Sequence, residues 1–400
     1  MTMRPLSILY FTNSRSRGGA EQHLVSLIGG LDRRAFQPIL ACPPALEEQI
    51  RMDLGPGVEI VPIELERPSD FRAAWSLARL VRSRRIDILH SHLFCSSVLA
   101  SPIGRLASVP AVVETPHVSE RWRRGWLKGR FVADRLVGRM VDVFVAVSQA
   151  NARYLAGQKG LPPKKIRVIP NGIDPGRFVA CQRPPASMRR SLGIQENDPA
   201  LVCVARLEPQ KGHAVLLDAM LRIRAEVPRA RLIIVGEGSL RHSLERSSRT
   251  LGLGDAVRFT GQQANVADWL ALAQVAVLPS LYEGLPLAAL EALAAEKPLV
   301  ATAVDGTPEV VLHNRTGLTV PPGDPASLAA AILRMLRDPA RAQAMARAGR
   351  KLVTKHFTLQ RQVRDTENLY REIWEKRATG FAFGHAGPVP AHNVSGSELP

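Results

Sequence analysis

The sequence has no long apolar run and little cysteine. No uncharged apolar stretch approaches the roughly 18 residues that a membrane-spanning helix needs, and the first apolar run, residues 6–11, is too short for a signal-peptide core. The cysteines Cys42, Cys95, Cys181 and Cys203 are scattered, without a Cys-x-x-Cys pair or zinc spacing to a histidine. These absences argue against a membrane-spanning, exported or disulfide-bonded protein. They predict a cytoplasmic protein with reduced thiols.

Acidic and aromatic residues are also scarce. The chain carries 36 Asp and Glu against 53 Lys and Arg, a net charge of +17, and only 5% aromatic residues. So basic a chain is expected to meet an anionic partner, which leaves nucleic acid, phosphate-bearing ligands and acidic membrane surfaces open. The length of 400 residues and the 46% hydrophobic content predict a packed protein of two domains.

The basic residues are densest between residues 121 and 139, where Trp122, Trp126, Leu127 and Phe131 stand among them. This mixture is typical of an interfacial helix or loop at a membrane surface. It is equally compatible with a solvated helix face whose tryptophans pack inward. Membrane contact by residues 121–139 is therefore a hypothesis, and with it a peripheral position on the inner face of the membrane. The basic members are Arg121, Arg123, Arg124, Lys128, Arg130, Arg135 and Arg139.

A repeated pattern of apolar strand, glycine-bearing loop and helix organises the chain. Residues 6–11 form an apolar run without helical period, and after Gly18 and Gly19 the apolar residues recur at helical spacing. Further strands are predicted in the first half at 39–42, 86–90, 109–114 and 141–147. In the second half they are predicted at 201–205, 232–235, 257–260, 275–279, 299–303 and 318–320. Strands separated by crossover-length segments predict parallel, doubly wound sheets.

The pattern is interrupted at residues 175–185, which have the composition of an interdomain linker. We therefore predict an N-terminal Rossmann-like domain over 1–178 and a C-terminal Rossmann-like domain over 179–357. An amphipathic segment, 358–377, is predicted to form a helix. The Gly- and Pro-bearing tail, 378–400, is predicted to be disordered.

Two cations mark a predicted strand end in the second half. Arg206 and Lys211 lie in Arg-Leu-Glu-Pro-Gln-Lys-Gly, just before a predicted helix. Helix N-termini attract anions, and each cation can add a charge-assisted hydrogen bond, so a diphosphate suits this place. Considered alone, two such residues in a turn are more often simply solvated.

Glycines follow the next predicted strand. Gly236 and Gly238 resemble the start of a dinucleotide-binding fingerprint, but Arg241 occupies the last glycine position of that pattern. A tight strand-to-helix turn explains them as well as ligand contact does. Glycine would nevertheless let a nucleobase or ribose approach the backbone.

The most informative segment is Pro-Ser-Leu-Tyr-Glu-Gly-Leu-Pro-Leu-Ala-Ala-Leu-Glu, residues 279–291. A strand ends, a glycine loop turns, Pro286 suits a first helical turn, and a second glutamate falls inside the new helix. Carboxylates accept hydrogen bonds from vicinal hydroxyls, which is how proteins hold ribose and hexose rings. Glu283 and Glu291 are therefore candidate sugar-binding residues.

This segment resembles the Glu-x7-Glu motif of the family 4 retaining glycosyltransferases, whose GT-B fold has two Rossmann-like domains facing each other across a cleft. The chain also carries the family-like segments 170–174, 304–309 and 314–317, and the resemblance spans about residues 5–375. It implies that domain 1–178 presents the acceptor, that domain 179–357 binds the nucleotide-sugar, and that helix 358–377 packs back on the N-terminal domain. It also implies retention of anomeric configuration by a front-face, ion-pair-like mechanism. The implied donor residues are Arg206 and Lys211 at the diphosphate, Glu283 at the sugar as a catalytic group, Glu291 at the ribose, and Gly236, Gly238, Gly284 and Leu285 around them.

On the acceptor side the resemblance is carried by shorter motifs. Gly18 and Gly19 resemble the glycine loop that faces the phosphates and the acceptor. His117, in Glu-Thr-Pro-His, resembles the active-site histidine of the family, and it is the second catalytic candidate. The partners implied are a nucleotide-sugar donor and a glycan or lipid-linked acceptor. Asp305 departs from the common pattern of two glycines before Pro-Glu, which puts a carboxylate near the expected donor pocket.

The sequence contains no Asp-x-Asp, the usual metal-diphosphate motif of the other major glycosyltransferase fold, and we expect no metal and no cofactor. His90 and His92 lack a nearby third ligand, so they are predicted to be packed or bonded locally. Two alternatives remain. A GT-B-fold epimerase would share the diphosphate and ribose contacts, although the intact 283–291 segment favours transfer. A nucleic-acid-binding protein would fit the charge, but no zinc finger, ribonucleoprotein or helix-turn-helix signature accompanies it, so no specific nucleic acid is expected.

Overall fold

The computed structural model describes residues 4–67, 69–119, 130–178 and 186–378. Residues 121–129 of the basic aromatic segment, Cys181, the end of the predicted linker and the tail from residue 379 lie outside the described residues. The chain divides into two compact units. The first comprises Met1–Asn171 with Leu359–Pro400, and the second comprises Gly172–Thr358. The boundaries predicted from the sequence fall after residues 178 and 357.

The first unit is built on a parallel sheet in the order β3-β2-β1-β4-β5-β6-β7, as far as the described residues extend. This is the doubly wound order, in which sequence neighbours cross over by helices. Its strands are β1 Leu6–Thr12, β2 Phe36–Cys42, β3 Glu59–Pro62, β4 Ile88–His92, β5 Ala111–Thr115, β6 Val143–Ala146 and β7 Ile166–Val168. Its crossover helices are α1 Gly19–Gly30, α2 Pro44–Ile50, α3 Phe71–Ser83, α4 Phe94–Leu106, α5 Arg130–Met140 and α6 Gln149–Gly157.

Burial explains why the central strands read as continuous apolar runs. All five positions of β4 and all five of β5 are buried, because helices cover both faces of a parallel sheet. Two edge strands, β3 and β7, were missed by the sequence analysis. Neither β3 nor β7 contains a buried position, and β7 has only three residues, so neither produces an apolar run long enough to recognise.

The second unit repeats the plan with the order β10-β9-β8-β11-β12-β13 within the described chain, again with parallel pairing. Its strands are β8 Ala200–Val204, β9 Arg231–Val235, β10 Val257–Phe259, β11 Val275–Leu278, β12 Leu299–Thr302 and β13 Leu318–Val320. Its helices are α7 Ala186–Ser191, α8 His213–Glu226, α9 Arg241–Thr250, α10 Val266–Leu272, α11 Leu287–Ala294, α12 Pro325–Arg337 and α13 Pro339–His356. The predicted pair of doubly wound Rossmann-like domains is confirmed.

The last described helix, α14 Leu359–Ala378, belongs to the first unit. It packs against α1 so closely that a β-carbon on Gly30 would stand 2.7 Å from the Val363 side chain. The backbone N–H of Asp32 donates to the Glu367 carboxylate at 2.8 Å. Its apolar side chains Leu369 and Ile373 join the core around β1 and β4. None of the described helices is both long enough and apolar enough to cross a bilayer.

Candidate active site

In the second unit, two loops meet at the carboxyl edge of the sheet. One follows β8 and ends in a short 3-10 helix, Pro209–Lys211; the other follows β11. Gly212 adopts φ +65°, and a β-carbon there would collide with the carbonyl oxygen of Pro279. Gln210 completes the junction, since its side-chain amide donates to Tyr282 O at 2.9 Å and its carbonyl accepts from Leu281 N at 2.8 Å. The two predicted motifs therefore form one structural feature.

The junction brings Lys211 and Glu283 together. Lys211 Nζ lies 2.5 Å from Glu283 Oε1, and Ser280 Oγ donates to the same oxygen at 2.7 Å. Glu283 is 4% exposed, so this carboxylate is held by partners rather than by water. Arg206 is exposed, and its positive charge reaches Tyr282: burial raises the pKa of that phenol, and Arg206 acts in the opposite direction. Lys211, Glu283 and Ser280 therefore form one compact polar group, and the charge of Arg206 acts on the adjacent Tyr282.

Asp305 also joins this group. Its Oδ2 accepts from the backbone N–H of Glu283 at 2.8 Å, and its own backbone has a φ of +42°, which is uncommon outside glycine. Gly306 N donates to Gly284 O at 3.1 Å. The residue that departs from the family pattern thus supports the loop that carries Glu283.

Glu291 lies on α11, as the sequence analysis expected from its position after Pro286. It is half-buried, and desolvation of its carboxyl group raises its pKa from 4.5 to about 7, while the charge of Arg177 acts in the opposite direction. A carboxyl group whose pKa lies near 7 is partly protonated at neutral pH, so it can accept hydrogen bonds or donate one.

The glycines after β9 have a packing reason for lacking a side chain. A β-carbon on Gly236 would strike the carbonyl oxygen of Ala205, and one on Gly238 would lie 2.6 Å from Leu207 O. Leu207 N donates to Glu237 O at 2.9 Å, which ties this loop to the loop of Arg206. Contact of Gly236 and Gly238 with a nucleobase or ribose stays a prediction.

In the first unit, the glycine loop precedes α1. Gly18 is the N-cap residue of that helix. Its backbone is extended, and no side chain caps the helix there. A β-carbon on Gly19 would meet no atom within 4 Å, so packing does not require glycine there. Open space at a helix N-terminus suits an anionic ligand.

Three buried histidines from separate segments cluster near this helix: His23 on α1, His92 at the end of β4 and His117 after β5. His92 Nδ1 and His117 Nε2 are 2.9 Å apart, and the rings of His23 and His117 meet edge to face with centroids 4.8 Å apart. Burial lowers the pKa of His23 to about 4 and holds the pKa values of His92 and His117 well below the usual 6.5. The cluster is therefore electrically neutral at pH 7.

The expectation that His92 lacks a third ligand partner is wrong, because the fold supplies neighbours that are remote in sequence. Ligand atoms of His23, His92 and His117 lie within 4.8 Å of one another, the one such group of three found among the described residues. Imidazoles of this kind can hold Zn²⁺, although the hydrogen bond between His92 and His117 would first have to break. His90 is hydrogen-bonded through both ring nitrogens, to Tyr370 and Thr115, and both partners are remote in sequence rather than local as predicted.

Sequence reasoning missed His23 and His213. His23 stands five positions after Gly18, on the helix that the glycine loop opens, and only its helical spacing from the loop could have indicated it. His213 follows Gly212 directly; it is buried, and neither ring nitrogen has a hydrogen-bond partner within the described chain. Burial lowers the pKa of His213 to about 4, and Lys211 adds to this effect.

Two family models match the chain. Residues 17–177 match "Glycosyltransferase Family 4", and residues 186–352 match "Glycosyl transferases group 1". A GDP-mannose-dependent alpha-(1-6)-phosphatidylinositol monomannoside mannosyltransferase of Mycolicibacterium smegmatis is 31% identical over 350 residues, which cover 84% of this chain and 90% of that protein. The chain belongs to the family 4 glycosyltransferases. The identification made from the Glu-x7-Glu segment is confirmed.

Other family 4 relatives agree. A glycogen synthase of Mycobacterium tuberculosis is 35% identical over 298 residues, 72% of this chain and 69% of that one. Among solved structures, HepE of Anabaena in complex with UDP and glucose superposes with a TM-score of 0.81 at 19% identity, covering 92% of this chain and 100% of HepE. Sucrose-phosphate synthase of Thermosynechococcus elongatus gives 0.77 at 22% identity over 92% of this chain and 99% of that one. These likenesses establish the GT-B fold, and the expectation of a hexosyl-transferring enzyme is confirmed.

Proposed function

We propose that this family 4 member is a retaining, metal-independent glycosyltransferase that moves a sugar from a nucleotide-sugar to a hydroxyl acceptor in cell-envelope polysaccharide, glycolipid or lipid-linked glycan synthesis. One observation carries the proposal: Lys211 Nζ meets Glu283 Oε1 at 2.5 Å in the junction of the two loops at the carboxyl edge of the sheet. In doubly wound sheets, ligands bind at this edge.

The cations serve the leaving group. Departure of a nucleoside diphosphate builds negative charge, and Lys211 and Arg206 can stabilise that charge with charge-assisted hydrogen bonds. Lys211 would then exchange Glu283 for a phosphate oxygen. Glu283, still held by Ser280, is free to accept hydrogen bonds from hydroxyls of the donor sugar. The Lys211–Glu283 ion pair thus holds both side chains in position before the donor binds, and donor binding breaks the pair.

Glu291 is proposed to bind the ribose of the donor. Burial raises the pKa of Glu291 to about 7, because hydrogen bonds to its carboxylate do not offset the cost of desolvation. The hydroxyl groups of a ribose would supply such hydrogen bonds. Gly284 and Leu285 belong to the loop that leads into α11 and are proposed to contact the donor through their backbone.

The acceptor is assigned to the first unit. The open space at Gly19, at the N-terminus of α1, leaves room for a phosphate group to approach. His117 can form a hydrogen bond with an acceptor hydroxyl group. Because its pKa lies well below 6.5, His117 is a weak base that acts by hydrogen bonding rather than as a cation. It is proposed to orient the acceptor hydroxyl.

The comparisons support a sugar-nucleotide donor in general. HepE was solved with UDP and glucose, whereas the mannosyltransferase relatives are GDP-mannose-dependent. A thermal-shift screen with UDP-, GDP- and ADP-sugars is the first experiment, because a ligand at about 100 times its Kd adds roughly 2.7 kcal/mol of stability. The stabilising donor is then assayed for transfer with EDTA present. Activity abolished by EDTA and restored by Mn²⁺ contradicts the metal-independent proposal, and conversion of the donor sugar without an acceptor indicates an epimerase.

Contact with an anionic membrane is a further part of the proposal. Phe71 and Trp75 lie one helical turn apart on α3 and are 76% and 65% exposed, and α5 presents Val132 and Leu136, each 51% exposed. Both helices flank α4. The Arg79 guanidinium lies 5.6 Å from the Trp75 ring centroid, on the same helical face. Exposed apolar side chains beside arginine are typical of surfaces that bind acidic lipid headgroups.

The membrane proposal is tested by co-sedimentation with vesicles of phosphatidylcholine alone or with phosphatidylglycerol. We expect binding only with the anionic lipid, and weaker binding after Phe71→Ser with Trp75→Ser. Leu221→Ser, at an exposed apolar position on α8 in the second unit, is the matched control and should bind as the wild type does. Equal sedimentation with both vesicle types contradicts the proposal.

A further inference from the structure

Helix α14 inserts polar side chains beneath the histidines of the first unit. Gln362 is 2% exposed and Tyr370 is fully buried, and Tyr370 lies in the same core as the apolar Leu369 and Ile373. Buried polar groups cost free energy unless they are fully bonded, so their presence at these two positions calls for a reason besides packing.

Gln362 holds His23 in one tautomer. Its amide Nε2 lies 3.1 Å from His23 Nδ1, so Nδ1 accepts a hydrogen bond and the proton of the neutral imidazole lies on Nε2. Desolvation lowers the pKa of His23 to about 4, and Asn171 acts in the opposite direction. The ring of His23 lies nearly perpendicular to that of His117, at an interplanar angle of 78°.

Tyr370 holds the ring of His90 in place. The Tyr370 hydroxyl lies 2.6 Å from His90 Nδ1 and 3.0 Å from the Tyr10 hydroxyl, while His90 Nε2 lies 2.7 Å from Thr115 Oγ1. His90 stacks on His92 with ring centroids 4.5 Å apart, and His92 bonds His117 at 2.9 Å. A continuous path of contacts therefore runs from α14 to His117.

We propose that Gln362 and Tyr370 of α14 are positioning residues for transfer: Gln362 fixes the tautomer of His23, Tyr370 fixes the ring of His90, and through these rings they set the orientation of His117. This inference rests on the proposed role of His117 at the acceptor. The last described helix is accordingly part of the acceptor-site machinery and does more than complete the core.

The experiment compares Gln362→Leu and Tyr370→Phe with the control Thr366→Val. Thr366 lies on the same helix, is equally buried, and donates only to the carbonyl of Gln362 within the described chain, so it reports the cost of a lost buried hydroxyl. With the donor identified by thermal shift, we expect kcat to fall about 10- to 100-fold in the two test variants with KM for the donor unchanged. Thr366→Val should retain wild-type kcat.

A readout independent of activity is the imidazole 15N spectrum of the histidine-labelled protein. The wild type should show His23 protonated at Nε2. Gln362→Glu should move that proton to Nδ1 and raise the pKa of His23, because a carboxylate accepts from Nδ1–H. Changes in the His117 resonances in Gln362→Leu and Tyr370→Phe, absent in Thr366→Val, support positioning.

The outcomes separate the two proposals. If His117 signals are unmoved in both test variants, or if Thr366→Val loses kcat as they do, the positioning role is overturned. If the signals move as expected but the wild type transfers no sugar from any donor, the proposed function fails while the coupling of α14 to the histidines stands.

Discussion

The two candidate regions are built in opposite ways. The donor region of the second unit is charged and formed by short motifs: Lys211 and Glu283 meet in an ion pair, and each was recognisable from its neighbours in sequence. The histidine region of the first unit is neutral, buried and assembled from four distant segments, those of His23, His92, His117 and Gln362. Charge at a loop junction suits a leaving diphosphate, whereas neutral imidazoles suit the orientation of a hydroxyl group.

The sharpest test of this contrast is Glu283→Gln. The amide is isosteric and can still bond Ser280, so the protein should fold, but the charge that pairs with Lys211, and that is proposed to hold the donor sugar, is lost. We expect kcat to fall about a thousandfold. Steady-state kinetics with circular dichroism as the folding control measure this, and near-normal turnover would contradict the assignment.

Lys211→Ala should act on binding. Removal of the ammonium group takes away the charge-assisted hydrogen bond that we propose for the diphosphate, so the donor Kd should rise about 10- to 100-fold. Titration calorimetry with the identified nucleotide diphosphate measures it. Lys351→Ala, an exposed lysine on α13, is the control and should leave the Kd unchanged. Equal affinity in all three proteins would remove Lys211 from the donor site.

His117→Gln tests the neutral side of the comparison. Because burial keeps the pKa of His117 well below 6.5, its contribution is a hydrogen bond and not a positive charge. Glutamine should therefore retain more activity than alanine: we expect kcat to fall about 10-fold in His117→Gln and about 100-fold in His117→Ala. The pH profiles of kcat for the wild type and for His117→Gln should have the same shape between pH 6 and 7. A step in the wild-type profile that is absent from the variant would instead assign His117 a proton-transfer role.

The smallest expected effect concerns Glu291 and stability. Its pKa is raised from 4.5 to about 7 on folding, so the folded protein binds more protons than the unfolded chain between these values. The stabilising contribution is complete below about pH 4.5 and is lost as pH rises through about 7. Glu291→Gln should flatten the pH dependence of the unfolding free energy by about 1–3 kcal/mol in denaturant titrations. Parallel curves for variant and wild type would show that Glu291 does not titrate there.

Much of the fold could be predicted because central parallel strands are buried on both faces. β1, β5 and β11 can be recognised in the sequence as short apolar runs. The edge strands β3 and β7 could not be recognised, since their half-exposed residues have no such signature. The donor loops were recognisable because Glu283 and Glu291 are eight positions apart within one strand-loop-helix unit, so their spacing survives in the sequence.

The histidine cluster was not predictable in the same way. His117 was identified from its short motif, but its partner His92 was expected to lack nearby ligands and His23 was not considered. Gln362 lies 339 positions from His23, and nothing in a linear pattern encodes a contact at such separation.

By itself the sequence determined the two doubly wound domains and the charged loops of the donor region, because local periodicity and short motifs specify both. The tertiary structure alone decided which histidines meet, that burial makes them neutral, and that α14 bonds to them. The physical reason is that desolvation and long-range hydrogen bonds depend on what surrounds a side chain in space, which is decided only when the strands and α14 pack together.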